Sequence, residues 1–193
     1  DALLSRGLGD VYKRQIGWIE VICGSMFSGK TEELINRIKS SNKSFKVFKP
    51  DVDTRNKKNI IESHSKLEIE ATTISNPNEI LKYKNKFDII GIDEAQFFSH
   101  DIVNICNILA NSGVRVIVAG LDMDYMGKPF GPMPFLMAIA EDVIKVHAVC
   151  SETGDPALYS YRRVENNETI MIGEKKEYNP LSRKAYISKV NKK

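Results

Sequence analysis

The sequence predicts an α/β fold: a mainly parallel sheet covered by helices on both faces, with a small C-terminal loop and β-hairpin appendage. Three observations lead there. A β-branched apolar run, Ile16 to Cys23, ends on the glycine loop Gly24-x-x-x-x-Gly29-Lys30-Thr31, which opens a helical pattern. Apolar runs and helical patterns then alternate along the chain. After Cys150 the texture changes to turns and short alternating runs.

Taken in order, the run Ile16 to Cys23 is apolar without alternation, as in a strand buried on both faces. In Thr31 to Lys39, Leu34, Ile35 and Ile38 share one helical face, with Glu32, Glu33 and Lys39 opposite. Strand, loop and helix in that order suit phosphate binding, because loop N–H groups and the helix N-terminus must point at one anion. Further strands are predicted at Phe45 to Phe48, Phe87 to Ile92, Val114 to Ala119 and Val143 to Val149. Helices are predicted between them at Asn78 to Tyr83, Asp101 to Ala110 and Phe135 to Ala140. From Pro50 to Ile74 the pattern is polar with weak alternation, which predicts a long excursion or hairpin. Beyond Cys150, Gly154-Asp155-Pro156 marks a turn, and alternation recurs at Leu158 to Val164 and Thr169 to Ile172. The chain thus divides into a flanking extension at 1–15, disordered or non-native, a nucleotide-binding core at 16–149, and a small, loop-rich appendage with a basic tail at 150–193.

Composition narrows the class. With 193 residues, 42% hydrophobic and 27% charged, the chain can bury one sizeable core. No window approaches the roughly 18 apolar residues of a spanning helix, and the first fifteen residues have no secretory apolar segment. The three cysteines, Cys23, Cys106 and Cys150, lie far apart without C-x-x-C spacing. A reducing cytoplasm is the compartment that this predicts. The net charge of +3 is mild, and positive residues gather only in Arg183, Lys184, Lys189, Lys192 and Lys193, which read as a solvated end. Neither a nucleic-acid nor a membrane partner is expected from this pattern.

Two elements carry chemistry. In the glycine loop, Gly24 and Gly29 permit the tight backbone, Lys30 reaches the outer phosphates, and the Thr31 hydroxyl suits Mg²⁺. In "FDIIGIDEAQFF", residues 87–98, an apolar strand ends on Asp93, a carboxylate placed to support the same metal. If the strand persists, Glu94 points away from Asp93 and suits a general base, acting on water in a hydrolase or on a substrate hydroxyl in a kinase.

The collinear motifs "GSMFSGKTEEL", "KPDVDTR", "DEAQFF" and "GLDMDYMGKPFG" resemble the thymidine kinase family of the RecA-like type, from about Gly17 to Tyr186. The resemblance implies a RecA-like core and transfer of the γ-phosphoryl of ATP to deoxythymidine, with deoxyuridine also accepted. It implies that Glu94 is the base, that Lys30 is catalytic, and that Gly24, Ser25, Met26, Phe27, Ser28, Gly29, Lys30, Thr31, Asp53, Asp93, Glu94 and Gln96 bind ATP and Mg²⁺. Arg55 becomes a stabiliser of the transferring phosphoryl group. Met26, Phe97, Leu121, Tyr125 and Phe130 become walls around the base, with Ser160 and Tyr178 near it. Thr169, Met171, Ile172 and Gly173 belong to the loop that closes over thymine. A homotetramer and feedback inhibition by the end-product triphosphate are further implications. The family's four-cysteine zinc positions fall on Cys150, Thr153, Ser182 and Ala185 here, and one thiolate cannot close a tetrahedral site, so no zinc is expected.

The alternative reading is an ATPase that uses the same loop and Glu94 to act on nucleic acid. It needs a polynucleotide track, which a net charge of +3 without a basic stripe does not supply.

Overall fold

The computed structural model describes residues 17–51, 60–63, 65–163 and 177–191. Six parallel strands form the central sheet in the order β5-β2-β6-β7-β1-β8. They are β1 (Ile19–Gly24), β2 (Phe45–Pro50), β5 (Thr72–Ile74), β6 (Ile89–Ile92), β7 (Arg115–Gly120) and β8 (Asp142–Val146). Strand β1, which leads into the glycine loop, and β6, which leads into Asp93, flank β7. The carboxyl ends of these three strands therefore share one edge of the sheet, where open α/β folds place their ligands.

Alternate side chains of the strands feed two cores. On one face Leu34, Ile35 and Ile38 of helix α1 (Lys30–Lys39) pack against Ile22, Val47, Ile89 and Ile117. Each such side chain contributes roughly 1.5–3 kcal/mol by leaving water. On the other face helix α2 (Asp101–Asn111) and helix α3 (Met133–Ile139) cover Val21, Ile90, Ile92 and Val118 with Ile102, Ile105, Leu109, Met133 and Leu136.

Within the excursion expected before Ile74, β3 (Ile60–Glu62) and β4 (Glu68–Glu70) pair as an antiparallel hairpin, and β5 returns to the sheet beside β2. Lys49, 1% exposed in β2, donates its ammonium to the Ile60 carbonyl and so ties that hairpin to the sheet. The segment expected to be a helix from Asn78 is a 3₁₀ helix, Pro77–Tyr83, started by Pro77 and by the Asn76 side chain accepting from the Asn78 N–H.

Two expectations need correction. The apolar run Val143 to Val149 is not one strand. It breaks after Val146, and β9 (Ala148–Val149) pairs antiparallel with β10 (Pro156–Ala157) outside the central sheet. Nor is the basic tail merely a solvated end. Arg183–Val190 forms helix α4, whose N-terminus is capped by Ser182 and whose Ala185 and Tyr186 are buried. Arg183 and Lys184 face outward and Lys189 pairs with Glu152, while Tyr186 stacks on Tyr159 at 4.3 Å, so one short element is both charged and anchored. Lys192 and Lys193 lie outside the described residues. With β11 (Tyr159–Arg162) and β12 (Tyr178–Leu181), an antiparallel pair, these pieces share a third core of Ala148, Cys150, Ala157, Tyr159, Leu181, Ala185 and Tyr186.

Candidate active site

The glycine loop turns sharply out of β1. Gly24 lies so near β8 that a Cβ there would meet the Val146 carbonyl, and Gly29 has φ 85°, so both positions need glycine. Inside the loop, the Ser28 hydroxyl and the Lys30 ammonium both donate to the Ser25 carbonyl at 2.7 Å. Burial pulls the Lys30 pKa below its ordinary value, against the opposing pull of Glu94, Asp93 and Asp122. Phe27 holds a left-handed backbone, φ 64°, which a side chain of that size adopts only when its surroundings impose it.

Opposite the loop, Thr31 Oγ1 stands 3.2 Å from Asp93 Oδ2. Burial, with the adjacent Glu94 charge, raises the Asp93 pKa to about 7. A hydroxyl and a buried carboxylate, with the Glu94 charge adjacent, make a hard oxygen set that fits a divalent cation carried in with a nucleotide. Among the described residues no group of three or more His, Cys, Asp or Glu is placed to hold a metal without such a partner.

Strand β6 stops at Ile92, so the premise of a strand persisting through Glu94 does not hold. Glu94 instead takes φ 52° at the head of a 3₁₀ turn, Ala95–Phe97. A left-handed glutamate costs on the order of 1 kcal/mol or more and must be held by its neighbours. The Gln96 amide holds it: its nitrogen donates to Glu94 Oε2 at 2.6 Å, and its oxygen accepts the Leu121 N–H at 2.9 Å. Because a backbone N–H can only donate, that second bond fixes which end of the amide faces Glu94.

Several expected base walls meet. Phe97 and Phe130 pack edge to face at 5.6 Å. Leu121, Tyr125 and Phe130 lie on one loop, folded by Asp124, whose Oδ1 accepts from the N–H groups of Met126 and Lys128. Ser160 reaches the glycine loop, accepting the Met26 N–H at 2.9 Å, and the Tyr178 hydroxyl accepts from Arg162 Nε at 3.1 Å. Asp53, Arg55, Thr169, Met171, Ile172 and Gly173 lie outside the described residues.

Sequence reasoning missed four contributors. Arg162, 5% exposed, lays its guanidinium 3.7 Å from the Tyr125 ring centroid, yet in "LYSYRR" it reads as a surface arginine. Tyr186 donates to the Tyr125 carbonyl at 2.9 Å, and the Ser182 cap before it was the available signal. Asp122 is paired with Lys145 through Oδ2, while its buried Oδ1 has no partner among the described residues. No local pattern announces that pair.

The four positions Cys150, Thr153, Ser182 and Ala185 do come together. The Thr153 and Ser182 hydroxyls are 3.4 Å apart, and Ser182 Oγ accepts the Ala185 N–H. Burial pushes the Cys150 thiol up, but hydrogen bonds from the Thr153 side chain and from the N–H groups of Ser182, Glu152 and Thr153 outweigh it and lower its pKa to about 6.

The family model for thymidine kinase matches residues 17–186. A thymidine kinase of Bacteroides thetaiotaomicron is 50% identical over 177 residues, which cover 90% of this chain and 89% of that one. One from Porphyromonas gingivalis strain W83 is 51% identical over 173 residues, covering 88% and 85%. One from a Rhodothermus species is 45% identical over 174 residues, covering 89% and 82%.

Proposed function

The chain belongs to the thymidine kinase family, and from that premise we propose how its own residues transfer the γ-phosphoryl group of ATP to the 5′-hydroxyl of deoxythymidine. The reaction is an ATP-dependent phosphorylation of thymidine, a step of nucleotide salvage. The observation that carries the residue assignment is the Glu94–Gln96–Leu121 chain of hydrogen bonds. It aims a carboxylate from the sheet edge beside the phosphate loop and ties it to a wall of the nucleoside site.

The loop from Gly24 to Thr31 binds the phosphates, with Lys30 exchanging its bond to the Ser25 carbonyl for phosphate oxygens. Thr31 and Asp93 hold the divalent cation, which we take to be Mg²⁺; when bound it neutralises charge on the phosphates. Glu94 accepts the proton of the 5′-hydroxyl as the oxygen attacks in line, and Gln96 keeps the carboxylate oriented. Arg55 supports the transferring group, and Asp53 stands near the phosphates. Met26, Phe97, Leu121, Tyr125 and Phe130 enclose the base, with Ser160 and Tyr178 beside it, and the loop bearing Thr169, Met171, Ile172 and Gly173 closes over it. Residues 16–149 act as the kinase core and 150–193 as the lid, with 1–15 outside both.

Deoxyuridine is a second acceptor in this reading, and the enzyme is a cytoplasmic homotetramer inhibited by the end-product triphosphate. No helix among the described residues is long and apolar enough to cross a membrane. A panel of deoxynucleosides with Mg²⁺ and labelled ATP tests the assignment. Label should pass to thymidine and deoxyuridine and not to deoxycytidine, deoxyadenosine or deoxyguanosine, and transfer to a purine would overturn the proposed walls.

The lid needs no zinc in this account, because the bonds among Cys150, Thr153 and Ser182 join the segments that a metal would otherwise join. Metal analysis of purified protein should therefore find zinc far below one ion per chain. Stoichiometric zinc would contradict this.

A further inference from the structure

Three consecutive residues of the phosphate loop are held by the C-terminal unit. The Ser25 hydroxyl donates to the Ala157 carbonyl at 3.2 Å, both residues being buried. The Met26 N–H donates to Ser160 Oγ at 2.9 Å. The Phe27 ring packs against the core of Ala148, Ala157, Tyr159 and Tyr186. The two hydrogen bonds join positions more than 130 residues apart in sequence.

A phosphate loop binds its anion with backbone N–H groups that must stand in a fixed arch. Here part of that arch is set from outside the loop. Met26 N–H is committed to Ser160, and Phe27 is kept in its left-handed conformation beside it. A serine on a strand of the C-terminal unit is an unusual place to find a determinant of ATP affinity, since the proposed function sets that unit beside the nucleoside and not at the phosphates.

We infer that Ser160 is a positioning residue for the phosphate loop, so that the hydroxyl of a lid strand tunes ATP binding even when no nucleoside is present. The inference rests on the reading of Gly24 to Thr31 as the ATP site. Its consequence is a mechanical link between the two substrate sites: an ordered lid strand holds the loop in its binding shape, and a filled loop holds the strand. By linkage each substrate then improves the other's affinity by the same factor.

The test measures binding of a non-hydrolysable ATP analogue with Mg²⁺, without nucleoside, to the full chain and its variants. Ser160→Ala should weaken binding about fivefold, the effect of one lost hydrogen bond. Ser160→Thr restores the hydroxyl and should stay within about twofold of the parent. Ser25→Ala cuts the second bond without altering the C-terminal unit and should weaken binding in the same direction. Thymidine affinity is measured in parallel. If Ser160→Ala binds the analogue as the parent does and loses only thymidine affinity, Ser160 is a nucleoside contact and the inference falls. If neither alanine variant changes analogue affinity, it falls as well. Should the parent chain bind no analogue at all, the ATP-site reading fails first, which the parent measurement alone reveals.

Discussion

Glu94→Gln should lower kcat by roughly 10²–10⁴-fold, the usual loss when a general base is removed, while ATP affinity stays within about twofold of the parent. The substitution changes little else. Glutamine has the same length, its carbonyl can still accept from the Gln96 amide, and the left-handed backbone at this position is no harder for one than for the other. Phosphate binding depends on the loop and on Lys30, whose ammonium, like the Ser28 hydroxyl, is held by the Ser25 carbonyl, and Glu94 adds to this only its charge acting on Lys30. Steady-state rates with a parallel nucleotide titration check this. A variant that turns over near the parent rate would remove Glu94 from the role of base.

Asp93→Asn should move activity and stability in opposite directions. Loss of the carboxylate beside Thr31 takes away a support for the cation, and kcat should fall by roughly 100-fold or more. The ligand-free protein, however, should become more stable at neutral and higher pH. Asp93 is 5% exposed, and burial with the neighbouring Glu94 charge raises its pKa to about 7. A carboxyl whose folded pKa is raised takes up a proton in the folded state where the unfolded chain has already lost it. The stability this lends is fully present below about pH 4, the unfolded value, and is lost as pH rises through about 7. Asparagine has no proton to lose. Thermal unfolding of the ligand-free chain at about pH 5 and about pH 8 should show a smaller decline for the variant, whose midpoint at the higher pH lies a few degrees above the parent's. An equal decline in both would mean that Asp93 is not held protonated by its surroundings.

These two predictions describe one feature from two sides. Asp93 and Glu94 are adjacent carboxylates at a sheet edge, one buried against its charge preference and the other in a strained backbone. Such a pair is unfavourable in the ligand-free fold, and under the proposed function a bound nucleotide with its cation would relieve it.

The local sequence carried the site's spine well. A glycine loop between an apolar strand and an amphipathic helix, and a strand ending in Asp93, are patterns of adjacent residues, and both stand where the spacing put them. The parallel sheet was legible for the same reason, since continuous apolar runs alternate with helical ones. What escaped depends on partners distant in the chain. Arg162 is buried because Tyr125 and Tyr178 receive it, and neither lies in its own segment. The run from Val143 broke because β9 found β10 beyond a turn, a choice that hydrophobicity alone does not encode. Helix α4 hid behind its charge, with only Ala185 and Tyr186 buried along it. Whether the strand persists through Glu94 is not legible locally, because propensity says nothing of the Gln96 bridge that holds Glu94 in a 3₁₀ turn.

The central claim is that the phosphoryl group leaving ATP is delivered to a nucleoside hydroxyl activated by Glu94. The most direct measurement is the ratio of thymidine monophosphate formed to ATP consumed, with free phosphate scored in the same reaction. One monophosphate per ATP, with free phosphate at background and both products lost in Glu94→Gln, is the result predicted. ATP consumed to free phosphate with little monophosphate would contradict it, because the carboxylate would then be activating water.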